Sequence, residues 1–279
     1  MNDAQPTPDI AHIAPAGAAL ELLFEHAKVA HLALPPALVA SYGGELGLPK
    51  SCVYANFVAS LEGVVALPGD TESGQIISGR NAADRFVMGI LRACADAVLL
   101  GAGTFRKSGG HLWHPDRIYP PGAAAFAQAR QQLGLEPRPR FALLSASGNV
   151  DVTQPALEHA FLFTTAQGEA TLRGKLPSST RLIVQDGARL DVAQVLSLLR
   201  AEGHLRVLTE GGPSLFSELV QGRLVDELFL TSSPALFGRF ENDHRKALTD
   251  GLDLQGASLD LRSVRRHGSH LFLRYGLNP

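Results

Sequence analysis

Residues 205–222 read LRVLTEGGPSLFSELVQG. A β-branched, apolar run (205–209) meets Glu210 and the pair Gly211-Gly212, and Leu215, Phe216, Leu219 and Val220 then recur at helical spacing. Pro213 stands where a first helical residue belongs, because its fixed φ suits that position and its missing N–H is no loss there. A strand that turns on glycine directly into a helix is half of a β-α-β unit. DAVLLGAGT (96–104) repeats the pattern, with an apolar run followed by Gly101, Gly103 and Thr104. Ligands of open α/β sheets bind beyond the carboxyl ends of strands. Glycine there lets the backbone approach a phosphate, and the free N–H groups of a helix start favour an anion. Two such turns, each flanked by Thr or Ser, point to one anion site shared between neighbouring strands.

The flanking segments extend this pattern. CVYANFVAS (52–60) reads as a buried strand, followed by a turn at Glu62-Gly63 and GVVAL (63–67). A helix follows Ser78-Gly79, with Ala83, Phe86, Val87, Ile90 and Cys94 on one face and Ser78 or Asn81 as its cap. Residues 123–134 and 191–203 read as helices, and 141–145, 160–165, 181–185 and 225–234 as strands. The chain closes on a hairpin around His267-Gly268, in which Arg265, Arg266 and His267 read as a solvated edge. The expected fold class is α/β: a central, mostly parallel sheet covered on both faces, with an antiparallel C-terminal edge. Residues 1–50 read as an N-terminal leader, a short amphipathic helix (20–32, on Leu20, Leu23, Phe24 and Ala27) and a Pro/Gly-broken connector (34–50). Residues 51–279 form one domain, in which 106–122 is a long loop.

Composition narrows the function. With 279 residues, a net charge of −2 and 45% hydrophobic residues, the chain is globular and lacks the positive field that non-specific nucleic-acid binding needs. No apolar run approaches the length of a membrane span, and the first residues lack a basic region leading into an apolar one. Cys52 and Cys94 are too few for a disulfide framework or a four-Cys zinc site, which favours a reducing cytoplasm. The G-x-G-x-x-G spacing from Gly101 requires glycine where Arg106 stands. The P-loop fails because Gly168 and Gly174-Lys175 are one residue too far apart and Leu176 replaces Ser/Thr, and G-x-S-x-G is absent. His111, His114 and Asp116 offer ligand chemistry without a useful spacing, so no metal is expected. Glu62, at a strand end, is the candidate acid.

YANFVASLEG (54–63), IISGRNAADRFVMGILRACADAVLLGAGT (76–104), RFALLSASG (140–148) and VLTEGGPSLFSELVQGRLVDELFLTSSPALFG (207–238) together resemble the riboflavin-biosynthesis pyrimidine reductase family, in collinear order. This family is the reductase half of the bifunctional deaminase-reductase. The resemblance implies a three-layer αβα, dihydrofolate-reductase-like domain, a homodimer, NADPH as hydride donor, and a pyrimidine whose ribosyl group is reduced to ribityl. Carried over by residue, Gly101, Gly103 and Thr104 hold the cofactor phosphates. Glu210, Gly211, Gly212, Pro213, Ser214 and Leu215 line the pyrophosphate and nicotinamide. Ser145 and Ser147 read the adenosine 2′-phosphate. Asn56, Ser60 and Ser78 face the substrate, with Glu62 orienting or protonating it.

Two departures stand out. The deaminase's P-C-x-x-C pattern is absent, so a reductase alone is expected. The family's D-P-x-L-T-x-R stretch, whose Arg grips the substrate phosphate, is replaced by FRKSGGHLWHPDRIYP (105–120). Arg106, Lys107 or Arg117 supplies that charge instead, while Trp113, Tyr119 and the histidines form a loop able to stack on an aromatic substrate. The expected function is NADPH-dependent reduction of a small heterocyclic or ribosylated molecule. The alternatives are reduction of a pterin or another metabolite, a deazaflavin cofactor, and a non-catalytic nucleotide-binding dimer.

Overall fold

A computed structural model of the chain describes residues 13–26, 31–69, 73–108, 110–238, 244–249 and 251–277. The leader read over 1–12 and part of the helix read over 20–32 lie outside them. In chain order the elements are β1 (Glu21–Glu25), α1 (Pro36–Tyr42), β2 (Cys52–Ala59), β3 (Val64–Ala66), α2 (Ser73–Ile77), α3 (Ala82–Cys94), β4 (Ala97–Gly101) and α4 (Ala102–Lys107). There follow α5 (Pro115–Ile118), α6 (Ala123–Gln132), β5 (Arg140–Leu144), β6 (Phe161–Thr165), α7 (Ala166–Leu172), β7 (Arg181–Gln185) and α8 (Val192–Ala201). The chain ends with β8 (Arg206–Thr209), α9 (Pro213–Gln221), β9 (Glu227–Ser232), β10 (Lys246–Ala247), β11 (Asp260–His267) and β12 (His270–Gly276).

A ten-stranded sheet runs in the order β1-β11-β12-β9-β2-β8-β4-β5-β6-β7. The strands from β9 through β7 pair in parallel, and β9, β12, β11 and β1 pair antiparallel. Both faces of the parallel strands are apolar, as burial on two sides requires. Leu100, Leu143, Leu208 and Phe229 pack with Phe86 and Ile90 of α3 and Phe126 of α6. Val53, Leu99, Phe163 and Val207 pack under Val195 and Leu199 of α8 and Phe216 of α9. Each fully buried side chain of this size contributes about 2 kcal/mol. The expected α/β layering is therefore what the chain adopts. Asn81 resolves the cap of α3, its Oδ1 accepting from Ala83 N at 2.7 Å and Asp84 N at 3.3 Å.

The N-terminal segment departs from the sequence reading. Residues 21–25 are an edge strand, not a helix, paired with β11 through Glu21↔Arg266 and Glu25↔Ser263. Arg265 Nη2 donates to Glu25 Oε1 at 3.0 Å, and its guanidinium lies 4.1 Å from the Tyr42 ring centre. Arg265 is thus buried under β1 and α1 rather than on a solvated hairpin edge, while Arg266 pairs with Glu21 at an exposed position. The stretch read as a connector carries α1, whose Ala37, Leu38 and Tyr42 are buried. Gly43 caps α1 at φ +74°, and a Cβ there would fall 2.0 Å from the Leu20 carbonyl oxygen, so glycine is required where the helix meets the approach to β1. The loop 106–122 also carries the one-turn helix α5.

Candidate active site

β8 pairs with both β2 and β4, so the turns after β4 and β8 are neighbours in space. A Cβ on Gly212 would stand 3.1 Å from Thr104 Oγ1, and one on Gly211 would stand 2.6 Å from Leu215 Cδ2. Gly101 lies under Leu215 as well. The structure therefore brings Gly101, Thr104, Gly211, Gly212 and Leu215 together, while Gly103 is exposed with open space around it. Gly212 caps the nine-residue α9 without a side chain, so the first-turn N–H groups at Ser214 and Leu215 have no intrahelical acceptor. Ser145, past the end of β5, is buried with its Oγ unpartnered, whereas Ser147 is exposed and accepts from Asn149 N at 3.3 Å. A narrow glycine cradle, an uncapped helix start and an orphaned hydroxyl fit the phosphates of a dinucleotide.

Glu210 does not line that cradle as a free carboxylate. Arg92, 1% exposed at the last turn of α3, holds it with Nε at 3.0 Å and Nη2 at 2.6 Å. The pairing offsets the charge that a bare carboxylate would set against the phosphates. Arg92 Nη1 also donates to His111 Nε2 at 3.2 Å. Burial, then the charges of Arg92 and His114, push His111 down to about 4, so its ring is neutral.

Sequence reasoning passed over Asp84. It sits in the first turn of α3, 5% exposed, beside the hydroxyls of Thr231 on β9 and Ser78 and within the field of Glu210. Burial pushes its carboxyl up; the Thr231 hydroxyl opposes this and the charge of Glu210 adds to it, and the net result is about 6. The signal was an acid on the apolar face of an amphipathic helix. Ser78, of the expected substrate group, is buried next to it; its Oγ donates to the Gln75 carbonyl, and its own carbonyl accepts from His270 Nε2 at 3.0 Å. Asn56, on β2, shares with Thr231 and Phe272 a cavity of about 10 Å³, room for about one water.

Four expectations are corrected. Glu62 is no proton donor: it accepts from the N–H groups of Phe237 and Gly238, tying the β2–β3 turn to the loop after β9. Desolvation raises its pKa, but the Phe237 N–H, its own N–H, the Ser60 hydroxyl and the Gly238 N–H together outweigh this and hold it at about 2. Ser60 is buried in the same turn, its Oγ accepting from Val64 N at 3.0 Å. Trp113 is a core residue with its ring 4.7 Å from Phe141 and 6.0 Å from Phe105, and Tyr119 is buried with its hydroxyl on the Ile13 carbonyl, so neither presents a face to substrate. Arg106, expected on the substrate phosphate, instead donates to the Asn149 carbonyl at 2.9 Å, in the loop after β5. Arg117 is exposed on α5.

A cavity of about 920 Å³ opens elsewhere, at the amino ends of β5–β7 among Arg138, Arg140, Arg181 and His204. Volume alone therefore does not mark the site. Among the described residues no three His, Cys, Asp or Glu side chains converge to hold a metal, and no helix is long and apolar enough to cross a membrane. Cys52 and Cys94 are free and buried, and burial pushes both thiols up to about 12.

Residues 51–273 match the RibD C-terminal domain. The chain belongs to that family. It is 25% identical over 189 residues to the 2,5-diamino-6-ribosylamino-4(3H)-pyrimidinone 5′-phosphate reductase of Archaeoglobus fulgidus, covering 67% of this chain and 81% of that one. Among solved structures it resembles a pyrimidine reductase-like protein from Corynebacterium diphtheriae (TM-score 0.67, 23% identity, 82% of this chain and 93% of that one). It also resembles RibD from Acinetobacter baumannii (TM-score 0.60, 20% identity), spanning 58% of that longer chain. The family match covers both glycine turns, Asp84 and the Arg92–Glu210 pair.

Proposed function

We propose that this chain is a riboflavin-pathway type reductase that uses NADPH to reduce the ribosyl group of a pyrimidine to ribityl. The observation that supports this reading is a glycine cradle suited to a dinucleotide at adjoining strand ends, together with Asp84, a buried acid of the first turn of α3 whose carboxyl is pushed up to about 6. When bound, the cofactor supplies hydride chemistry to an electrophilic carbon. The residues of the chain do the rest. Gly211, Gly212 and the start of α9 receive the pyrophosphate, Leu215 closes the floor of the cradle, and Ser145 lies toward the adenosine side. Reduction at C1′ consumes one proton with the hydride, and Asp84, between Ser78 and Thr231, is the group placed to deliver it. Arg92 neutralises Glu210, so that Asp84 shares its pocket with a paired carboxylate and not a bare one.

The relative from Archaeoglobus fulgidus supports a ribosylaminopyrimidine phosphate as the substrate class. A homodimer is part of the proposal: Leu22, Leu23 and Phe24 on the edge strand β1 are 42%, 49% and 44% exposed, an apolar edge suited to a second copy. A cytoplasmic setting is supported by the two unpaired thiols. The test is NADPH oxidation by the purified chain with a ribosylaminopyrimidine 5′-phosphate, a dephosphorylated analogue and a pterin offered separately. Turnover confined to the pyrimidines supports the reading, and turnover of the pterin alone replaces the substrate class.

A further inference from the structure

The cavity of about 920 Å³ lies at the amino ends of β5–β7, the opposite end of the parallel strands from the glycine turns. That volume lies in the range of small-molecule sites. The helices α3, α6 and α8 finish at this end, just before β4, β5 and β8, and their open carbonyls repel anions. Arg130 of α6 answers those of α3: its Nη1 donates to the carbonyls of Arg92, Ala93 and Ala95 at 3.2, 3.2 and 2.8 Å. Its Nε donates to the Glu136 carbonyl at 2.7 Å.

After these bonds, two buried guanidinium groups are still short of acceptors. Arg130, 1% exposed, lines the cavity, and its Nη2 is buried with no hydrogen-bond partner. The Nε of Arg206 is buried in the same state, 3.9 Å from Asp96, whose Oδ2 already accepts from the N–H groups of Leu205 and Arg206. A buried donor left unpaired is costly, so such groups call for a partner. Of the four carboxylates that line the cavity, Asp96 is engaged in this way and Glu202 pairs with Arg181 at 2.8 Å, while Glu136 and Glu158 are exposed. Arg138, also in the lining and exposed, pairs with no carboxylate among the described residues.

The wall adds an aromatic surface. Arg140 and Arg181 lie over the Phe161 ring, 5.8 and 5.4 Å from its centre, and His204 meets the same ring edge-on at 5.6 Å. Arg140 is held there by its Nη1, which donates to the His159 carbonyl at 2.6 Å. A guanidinium fixed against one ring can stack a second ring on its other face. The open donors of Arg130 and Arg138 ask for an anion rich in oxygens, and a phosphate monoester carries nearly two charges on three acceptor oxygens.

We propose that this cavity is a second ligand site, which takes a phosphorylated aromatic small molecule with its phosphate on Arg130 and Arg138 and its ring against Arg140 and Arg181. The site stands apart from the glycine cradle and does not depend on the nicotinamide reading.

Trp113, the one tryptophan of the chain, lines the cavity and reports its occupancy. Its fluorescence is followed while phenyl phosphate, benzoate or phenol is titrated into the native chain, R138A, R138K, R140A and G212D. The native chain gives a saturable change with phenyl phosphate, and benzoate and phenol bind about 10-fold more weakly or worse. R138A and R140A each weaken phenyl phosphate by about 10-fold, R138A melting with the native chain because its side chain is exposed. R138K retains part of the affinity, since it keeps the charge and loses the fork. G212D, altered at the far end of the strands, binds phenyl phosphate as the native chain does. A titration that never saturates overturns the site, as do R138A and R140A that both bind like the native chain. Benzoate binding as tightly as phenyl phosphate overturns the ligand class. Loss of the signal in G212D would put the ligand in the glycine cradle and overturn the assignment to this cavity.

Discussion

Arg92, at the end of α3, grips Glu210, the first residue past β8, with Nε and Nη2 on one carboxylate and a shortest contact of 2.6 Å, both side chains being almost fully buried. The pair fastens the helix that carries Asp84 to the turn that follows β8, so the two move as one body. Removing Arg92 strands a buried charge. R92A is expected to lose about 3–5 kcal/mol of unfolding free energy in urea titration, whereas R92M combined with E210L loses less than R92M alone. A single variant that unfolds like the native chain would show that the pair carries no strain of this kind.

A Cβ on Gly212 would stand only 3.1 Å from Thr104 Oγ1, tighter than an ordinary van der Waals contact. G212D places a carboxylate in the cradle proposed for the pyrophosphate and crowds Thr104. NADPH binding, followed by cofactor fluorescence, should drop below detection while the circular dichroism of the fold is kept. Undiminished affinity would remove the second turn from the site.

Asp84 has a pH signature with a definite sign. Its folded pKa, about 6, lies above the usual 3.8, so the folded chain holds a proton that the unfolded chain has released between those values. The stabilisation is fully present below about pH 4 and is lost as pH rises through about 6, in total roughly 3 kcal/mol. D84N should therefore melt higher than the native chain at pH 8 and close to it at pH 4, while losing most of kcat. In the native enzyme kcat should fall on the alkaline side of a limb near pH 6. An unaltered pH limb in D84N would assign the proton to another group.

Glu62 is expected to behave as a clamp. E62Q keeps an acceptor for the Phe237 and Gly238 N–H groups and should retain kcat within a few-fold, whereas E62A releases the loop and raises KM. A kcat loss of about 1,000-fold in E62Q would restore Glu62 as an acid.

Local patterns carried most of the fold. The glycine turns at 101–104 and 210–213 were legible because strand, turn and helix start follow one another in the chain and need no distant partner. The strand β1 was not, because Leu20, Leu23 and Phe24 satisfy helical spacing and the strand's reason for existing is β11, some 240 residues away. Distance also hid the fates of Trp113 and Arg265, whose surroundings come from Phe105 and Phe141 in one case and from Glu25 and Tyr42 in the other. Asp84 drew no reading from the sequence, because its burial and its contact with Thr231 of β9 come from packing between segments distant in the chain. Arg106 was recognised as a cation at the end of a glycine turn, but its side of the site depends on Asn149, which sequence spacing does not place.

The central claim is hydride transfer from a nicotinamide held at the two glycine turns to a substrate beside Asp84. Its most direct measurement is isotopic: the chain is incubated with NADPH deuterated at the transferable position of the nicotinamide and a ribosylaminopyrimidine 5′-phosphate, and the product is analysed by mass spectrometry. The predicted result is a ribityl product carrying the deuterium at C1′, formed in step with NADP+ and absent with G212D. NADPH that binds but keeps its deuterium, with the substrate unchanged, would contradict the claim.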